Sequence, residues 1–175
     1  GEVAAFLEFF AADPRPADRE LLAAVDSVGS MLARLIERRQ AEERLRKVDR
    51  ARKVIAECNR VMMHANDEVQ LLRELCKIAV ESGGYRMAWV GFAEHDEHKS
   101  VRLIALAGFD EGYLDGARIS WADHWRGPSG RAIRLGQTQV VRNILTDPNF
   151  TPWRENALAR GYRSHIALPL ARQGP

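Results

Sequence analysis

Four tryptophans, Trp89, Trp121, Trp125 and Trp153, together with His124, Arg126 and Arg142, are the residues best suited to hold a small molecule. Small-molecule cavities are mostly apolar and aromatic, with few polar groups that fix orientation. The indoles could supply walls and the two arginines polar contacts; packing without any ligand accounts for the same residues equally well. His124, between Trp121, Asp123 and Trp125, is the one histidine in an aromatic-rich loop. It could touch a ligand or a tetrapyrrole, or simply pack. His95 and His98 stand among Glu94, Asp96 and Glu97 in an expected turn, where a tight bend with no remote third ligand binds metal poorly. No metal site is expected.

The run Gly127-Pro128-Ser129-Gly130 superficially looks like a phosphate cradle, but lacks the Lys-Ser/Thr of a P-loop and the glycine spacing of a dinucleotide fold. It reads as a turn into a short helix, whose free N–H groups could still meet an anion. No Ser-His-Asp set, phospho-acceptor box, ATP-lid glycines or cyclase motif is present, so no catalytic residue is assigned and no catalysis is expected.

These candidates sit in a chain of 175 residues, 46% hydrophobic and 29% charged, the balance of a folded domain of ordinary size. A formal charge of +2 does not by itself call for a polyanionic partner. The basic run from Arg44 to Lys53 is interspersed with Asp49, follows Glu42 and Glu43, and has no stacking aromatics, so nucleic acid is not expected. No apolar run approaches the roughly 20 residues of a membrane span, and no signal peptide opens the chain, so no membrane contact is expected. Cys58 and Cys76 fall in helical patterns without metal-ligand spacing, which points to buried thiols in a reducing, cytoplasmic setting.

The elements that must position these residues are legible from periodicity. Val3–Phe10 (VAAFLEFF) suits a buried strand, ended by Asp13-Pro14-Arg15-Pro16. Asp18 is placed to cap a long helix in which Leu21, Val25, Val28, Leu32 and Leu35 recur at spacings of four and three. The seam breaks at Arg39 and Glu42 and resumes on another phase at Leu45, Val48 and Ile55. With no Gly or Pro from Glu37 to Lys53, one helix is expected from about 18 to 64. A second follows, capped by Asn66, with Val69, Leu72, Leu75, Cys76 and Ala79 inward and Gly83-Gly84 as its stop. Tyr85–Ala93 and Val101–Ala107 read as a hairpin. Gly108–Trp125 reads as loop with a helical turn, and Ser129–Leu135 as a short helix stopped by Gly136. Gln139–Ile144 is an expected strand, Thr151-Pro152 opens a further helix that Gly161 closes, and Ile166–Leu170 is an expected strand.

Four blocks, GGYRMAWVG (83–91), GPSGRAIRLG (127–136), DPNFTPWRENALARGY (147–162) and SHIALPL (164–170), together resemble the GAF domains of sensor histidine kinases and cyclic-di-nucleotide enzymes. The resemblance covers roughly residues 53–174. It implies an α+β fold, GAF-like and related to PAS domains, with a central antiparallel sheet flanked by helices and a long amino-terminal signalling helix. Independently, residues 1–43 resemble the closing strand and exit helix of a preceding GAF domain. Three segments follow: 1–43 as that closing unit, 44–65 as a linking helix, and 66–175 as a GAF domain without its own final strand and exit helix. A sheet short of a strand leaves backbone N–H and C=O groups unpaired. Val3–Phe10 would complete it, in its own chain or in a partner's as a strand-swapped homodimer; the swap needs no turn between Gln40 and Arg50 and is preferred.

The resemblance implies a sensory module of a cytoplasmic bacterial two-component protein, a sensor histidine kinase above all, that binds a small ligand or partner and relays the change through a coiled-coil homodimer. No cofactor is assigned. Neither cysteine lies in an expected pocket loop, unlike GAF domains that attach a bilin or reduce free methionine sulfoxide. A dimerisation module without ligand and a haem-based redox or gas sensor stay open.

Overall fold

The computed structural model describes residues 6, 8, 10, 12, 13, 16, 18–115, 119–122 and 127–170. The chain divides into two compact units, Gly1–Arg52 and Lys53–Pro175. Helix α1, Arg19–His64, passes through the boundary.

In the first unit the Asp18 carboxylate accepts from the N–H groups of Glu20 (2.9 Å) and Leu21 (3.2 Å), as the expected N-cap should. No residue of α1 is fully buried. Its solvated side chains form i,i+4 ion pairs, Arg38–Glu42 at 2.8 Å and Lys47–Glu43 at 3.3 Å, each worth a few tenths of a kcal/mol. Leu21, Val28, Leu32 and Leu35 are exposed, and Val25 is half-buried. Of the strand expected over Val3–Phe10, residues 3–5, 7 and 9 lie outside the described residues. Phe6 and Phe10, 81% and 91% exposed, belong to no strand.

In the second unit α2 (Glu68–Glu81) is capped by Asp67 rather than Asn66. The Asp67 carboxylate reaches Val69 N–H at 3.4 Å and Gln70 N–H at 3.0 Å, a reach that Asn66 lacks by one position. Strands β1 (Met87–Ala93) and β2 (Val101–Gly108) form the antiparallel hairpin, with a bulge between Val90 and Gly91. α2 packs on it through Leu72 and Cys76 against Ala105, with Leu75, Ala88, Val90, Phe92 and Ala107 around them. Alanines at 88, 105 and 107 let the helix approach closely. Burial pushes the Cys76 thiol pKa up, which keeps it a neutral packing group.

Ser120 bridges Ser100, with Val101 N–H donating to Ile119 O (3.0 Å) and Trp121 N–H to Lys99 O (2.9 Å). The segment read as loop thus extends the hairpin's ladder. Helix α3 (Pro128–Leu135) ends at Gly136 in the left-handed region, φ 59°. Strand β3 (Gln139–Val141) is shorter than expected, because Asn143 opens a turn that accepts from Asp147 N–H at 3.0 Å. It pairs antiparallel with β4 (His165–Ala167). The helix expected to start at Thr151-Pro152 begins earlier, as a 3-10 turn over Pro148–Trp153. Asp147 caps it, and α4 (Arg154–Ala159) continues it. β4 stops before Pro169, which has no N–H to give a ladder. Its register turns His165 and Ala167 inward and leaves Ile166, Leu168 and Leu170 exposed. The second core gathers Val141, Ile144, Phe150 and Ala157 beneath this pair.

Gly130 lies against Ser120 O, so that a Cβ there would clash with backbone. Gly130→Ala should cost about 1–3 kcal/mol by overpacking. Gly29→Ala in α1, where a Cβ meets nothing within 4 Å, should stabilise the helix by about 1 kcal/mol. Urea denaturation and helical circular dichroism of the two variants measure both; a neutral G130A would contradict this packing.

Candidate functional site

The described candidate residues hang on the hairpin, the bridge segment 119–122, the turn after β3 and the 148–159 helices. Trp89 covers Gly91: a Cβ at Gly91 would lie 2.6 Å from the indole and 2.5 Å from Val101 Cγ1. Glycine at the bulge therefore leaves the room that this indole occupies. Trp121 is engaged at the hairpin's turn. Its indole N–H donates to Glu94 O at 2.9 Å, its ring meets His95 edge-on at 5.4 Å, and the Lys99 ammonium lies 4.8 Å above it. Ser120, buried, donates to His98 O at 2.8 Å. Arg134 of α3 donates to the carbonyls of Trp121 (3.1 Å) and Ala122 (2.8 Å).

Trp153 sits against Gly127, where a Cβ would fall 2.7 Å from its ring, and meets Phe150 edge-on at 6.0 Å. Both glycines of GPSG thus serve close approach, Gly127 under Trp153 and Gly130 on Ser120. His124, Trp125 and Arg126 lie outside the described residues. Arg142 is exposed on the turn after β3. The structure brings Trp121 close to α3 through Arg134, and Trp153 to its first turn through Gly127; Trp89 stands on β1.

His95 and His98 are exposed. Asp96 beside them is used locally: its carboxylate takes Ser100 Oγ–H at 2.5 Å and Ser100 N–H at 2.8 Å, which hold its pKa below the usual carboxylate range. Among the described residues no three His, Cys, Asp or Glu side chains gather closely enough to hold a metal ion.

Sequence reasoning passes over a second group. Arg160 donates to Glu111 O (2.6 Å) and Asp110 O (2.9 Å) and stands 5.8 Å over Tyr113. Arg86 donates to Arg160 O at 2.6 Å and lies 4.3 Å over Phe109. The Tyr162 hydroxyl donates to Phe109 O, and its ring meets Tyr113 edge-on at 5.2 Å. Burial first, then the neighbouring Tyr162, pushes the Tyr113 phenol up to about 12, against the pull of Arg160. Arg154 closes the next loop through Ile144 O (3.0 Å) and Asp147 O (2.8 Å).

His165 is the one inward polar group of β4. Its Nδ1 is buried without a hydrogen-bond partner among the described residues, and its ring lies 5.5 Å from Phe150. Burial lowers its pKa to about 4.

The second unit is thus an α+β domain with a helix-backed antiparallel hairpin, a second strand pair and loops carrying aromatic side chains. Residues 65–175 match the family model of the GAF domain, and the chain belongs to that family. Among solved structures it is similar to the NLH2 GAF domain of A. aeolicus in an inactive state. That likeness has 15% identity and a TM-score of 0.54, over 74% of this chain and 74% of the other. It is also similar to free methionine-R-sulfoxide reductase from Neisseria meningitidis in complex with its substrate. There the identity is 23% and the TM-score 0.54, over 70% of this chain and 65% of that enzyme. Both are likenesses of fold. No curated protein sequence matches the chain. GAF domains are sensory and regulatory modules, and no helix among the described residues is long and apolar enough to cross a membrane.

A folded-state pKa near 4 against about 6.5 in the unfolded chain means that the unfolded state takes up the proton first as pH falls. The stability that neutral His165 allows is complete above pH 6.5 and is lost as pH falls towards 4, by up to about 3 kcal/mol. Urea midpoints should drop between about pH 7 and pH 5, and His165→Phe should flatten that drop. An unchanged pH dependence in the variant would place the loss elsewhere.

Proposed function

We propose that this chain is the cytoplasmic sensory part of a signal-transduction protein of the sensor histidine kinase type. It works as a homodimer whose paired α1 helices relay the binding of a small ligand or partner protein. The observation that carries this reading is α1: 46 residues with an apolar stripe, Leu21, Val25, Val28, Leu32 and Leu35, and no fully buried side chain. Most helical stability in proteins comes from burying such a face. Spacing of four and three is the pattern that two helices bury against each other.

The ligand reading rests on Trp89, Trp121, Trp153 and Arg142, with His124, Trp125 and Arg126 as further candidates from the sequence. In the same reading residues 1–43 are the closing strand and exit helix of a GAF unit, and Val3–Phe10 pairs with a sheet edge of the second copy. Nothing about the cysteines favours the oxidoreductase chemistry of the sulfoxide-reducing neighbour: Cys58 is half-buried on α1 and Cys76 buried on α2.

Sedimentation equilibrium should find a dimer, and Val28→Glu with Leu32→Glu should weaken it by about 3 kcal/mol or more, at least a hundredfold in Kd. A monomer at all concentrations removes the relay. Thermal shift against nucleotides and small metabolites should find a stabilising compound whose effect Trp89→Ala or Arg142→Ala diminishes. No shift with any compound leaves dimerisation as the function, and a visible absorption band on adding haem replaces the metabolite with haem.

A further inference from the structure

The seam from Leu21 to Leu35 does not use all the apolar surface of α1. Leu45, Val48, Ile55 and Met62 are 65%, 48%, 59% and 51% exposed. With Arg52 and Asn59, both exposed, they stand at spacings of three and four through residues 45, 48, 52, 55, 59 and 62. Val54, Cys58 and Val61, about 100° further round the helix, are half-buried, so the exposed stripe is a separate face. It is also out of phase with the first seam. Continuing the four-three pattern from Leu35 passes through Arg39, Glu42 and Arg46, one residue away from Leu45, and one residue is about 100° of rotation. A straight helix therefore presents the two stripes in different directions.

We propose that Leu45–Met62 is a second self-association seam, engaged by α1 of another copy of this chain in parallel and in register. The proposal rests on the homodimer reading given above and assigns its alternative contact. With Leu45 and Ile55 as alternate core positions, Arg44 and Asp49 flank the core on opposite sides. In a parallel pair, Arg44 of one helix lies beside Asp49 of the other, and the reverse, which gives two ion pairs per dimer. The other acids from residue 42 to 57 are already matched within the helix: Glu42 with Arg38, Glu43 with Lys47, and Glu57 with Lys53 at 3.9 Å. Arg44 and Asp49 have no ion-pair partner among the described residues, so this pair is left for another molecule. An antiparallel arrangement of the same stripe would carry Arg44 to the Met62–Met63 end, where no acid awaits it. Two polar layers fix the register: Asn59 opposite Asn59 of the second copy, where side-chain amides can bond to each other, and Arg52 opposite Arg52. The arginines can lie along the seam and extend their heads into water, but like charges weaken that layer.

The test uses the full chain carrying Val28→Glu and Leu32→Glu, so that the first seam is disabled. Sedimentation equilibrium should find a residual, weaker dimer. In that background Arg44→Glu and Asp49→Arg should each raise Kd about three- to tenfold, and the double exchange R44E/D49R should restore it. Arg52→Leu should tighten the dimer about tenfold or more. A dimer indifferent to both charges and to R52L overturns the proposal, as does a chain that stays monomeric even with R52L. If the unmodified chain dimerises while these substitutions are silent, only the second seam fails; if the unmodified chain is monomeric, the homodimer reading fails with it.

Discussion

The second unit depends on guanidinium and phenol donors that reach backbone carbonyls across the gap between two small sheets. β1 with β2, and β3 with β4, are two-stranded pairs, and the latter strands have three residues each. Such pairs are marginal alone. Arg86 on Arg160 O, Arg160 on the carbonyls of Asp110 and Glu111, and Tyr162 on Phe109 O join the base of the hairpin to the approach to β4. Hydrogen bonds from charged donors contribute about 1.5–3 kcal/mol each, more than neutral ones. The acceptors are main-chain atoms, so the clamp fixes where the chain runs. Tyr113, its phenol pushed up to about 12, stays neutral beneath Arg160 and serves as an aromatic floor.

A second constraint is close approach at glycine. Gly130 lets α3 lie on Ser120, Gly127 lets Trp153 cover the first turn of α3, and Gly91 leaves the room that the Trp89 indole occupies. The same residues that invite a phosphate-loop or aromatic-pocket reading are therefore required by packing. Trp121 is engaged as well: its N–H is held by Glu94 O and its face by Lys99. The aromatic side chains of this region are therefore held in place by the fold itself.

Much of this is legible where period and punctuation agree. α1, α2 and the hairpin follow from apolar spacing, from Asp18 and from Gly83-Gly84. The departures have physical causes. Ser120 joins the ladder through one bridge, too short for alternation to mark it. The apolar run Ile166–Leu170 places the last strand by its hydrophobic residues, yet β4 begins at His165 and ends at Ala167. Its alternation turns His165 inward, with no partner for Nδ1, and sends Ile166 outward. Arg86 and Arg160 escape sequence reading because their acceptors are carbonyls, Arg160 O being 74 residues from Arg86. Side-chain patterns carry no trace of a bond to main chain so far away. His124, Trp125 and Arg126 lie outside the described residues.

For α1 the energetic question is what offsets the cost of ordering a long solvated helix. Three i,i+4 ion pairs contribute about 1 kcal/mol together, whereas each buried Leu or Val contributes about 1.5–3 kcal/mol. Self-association through an apolar stripe, as proposed above, would therefore stabilise the helix far more than its ion pairs do. A relay further requires two arrangements close in free energy, because a ligand shifts an equilibrium only by its differential affinity. Coupling free energies are typically about 1–3 kcal/mol. A seam of five apolar positions set against one interrupted by Arg52 and Asn59 differs in the right sense. In the proposed second seam the polar layers would weaken the contact, and ion pairs between Arg44 and Asp49 would return part of the difference. Filling both polar layers with leucine would make the second seam the stronger and fix the helices in one arrangement, at the expense of response to any ligand.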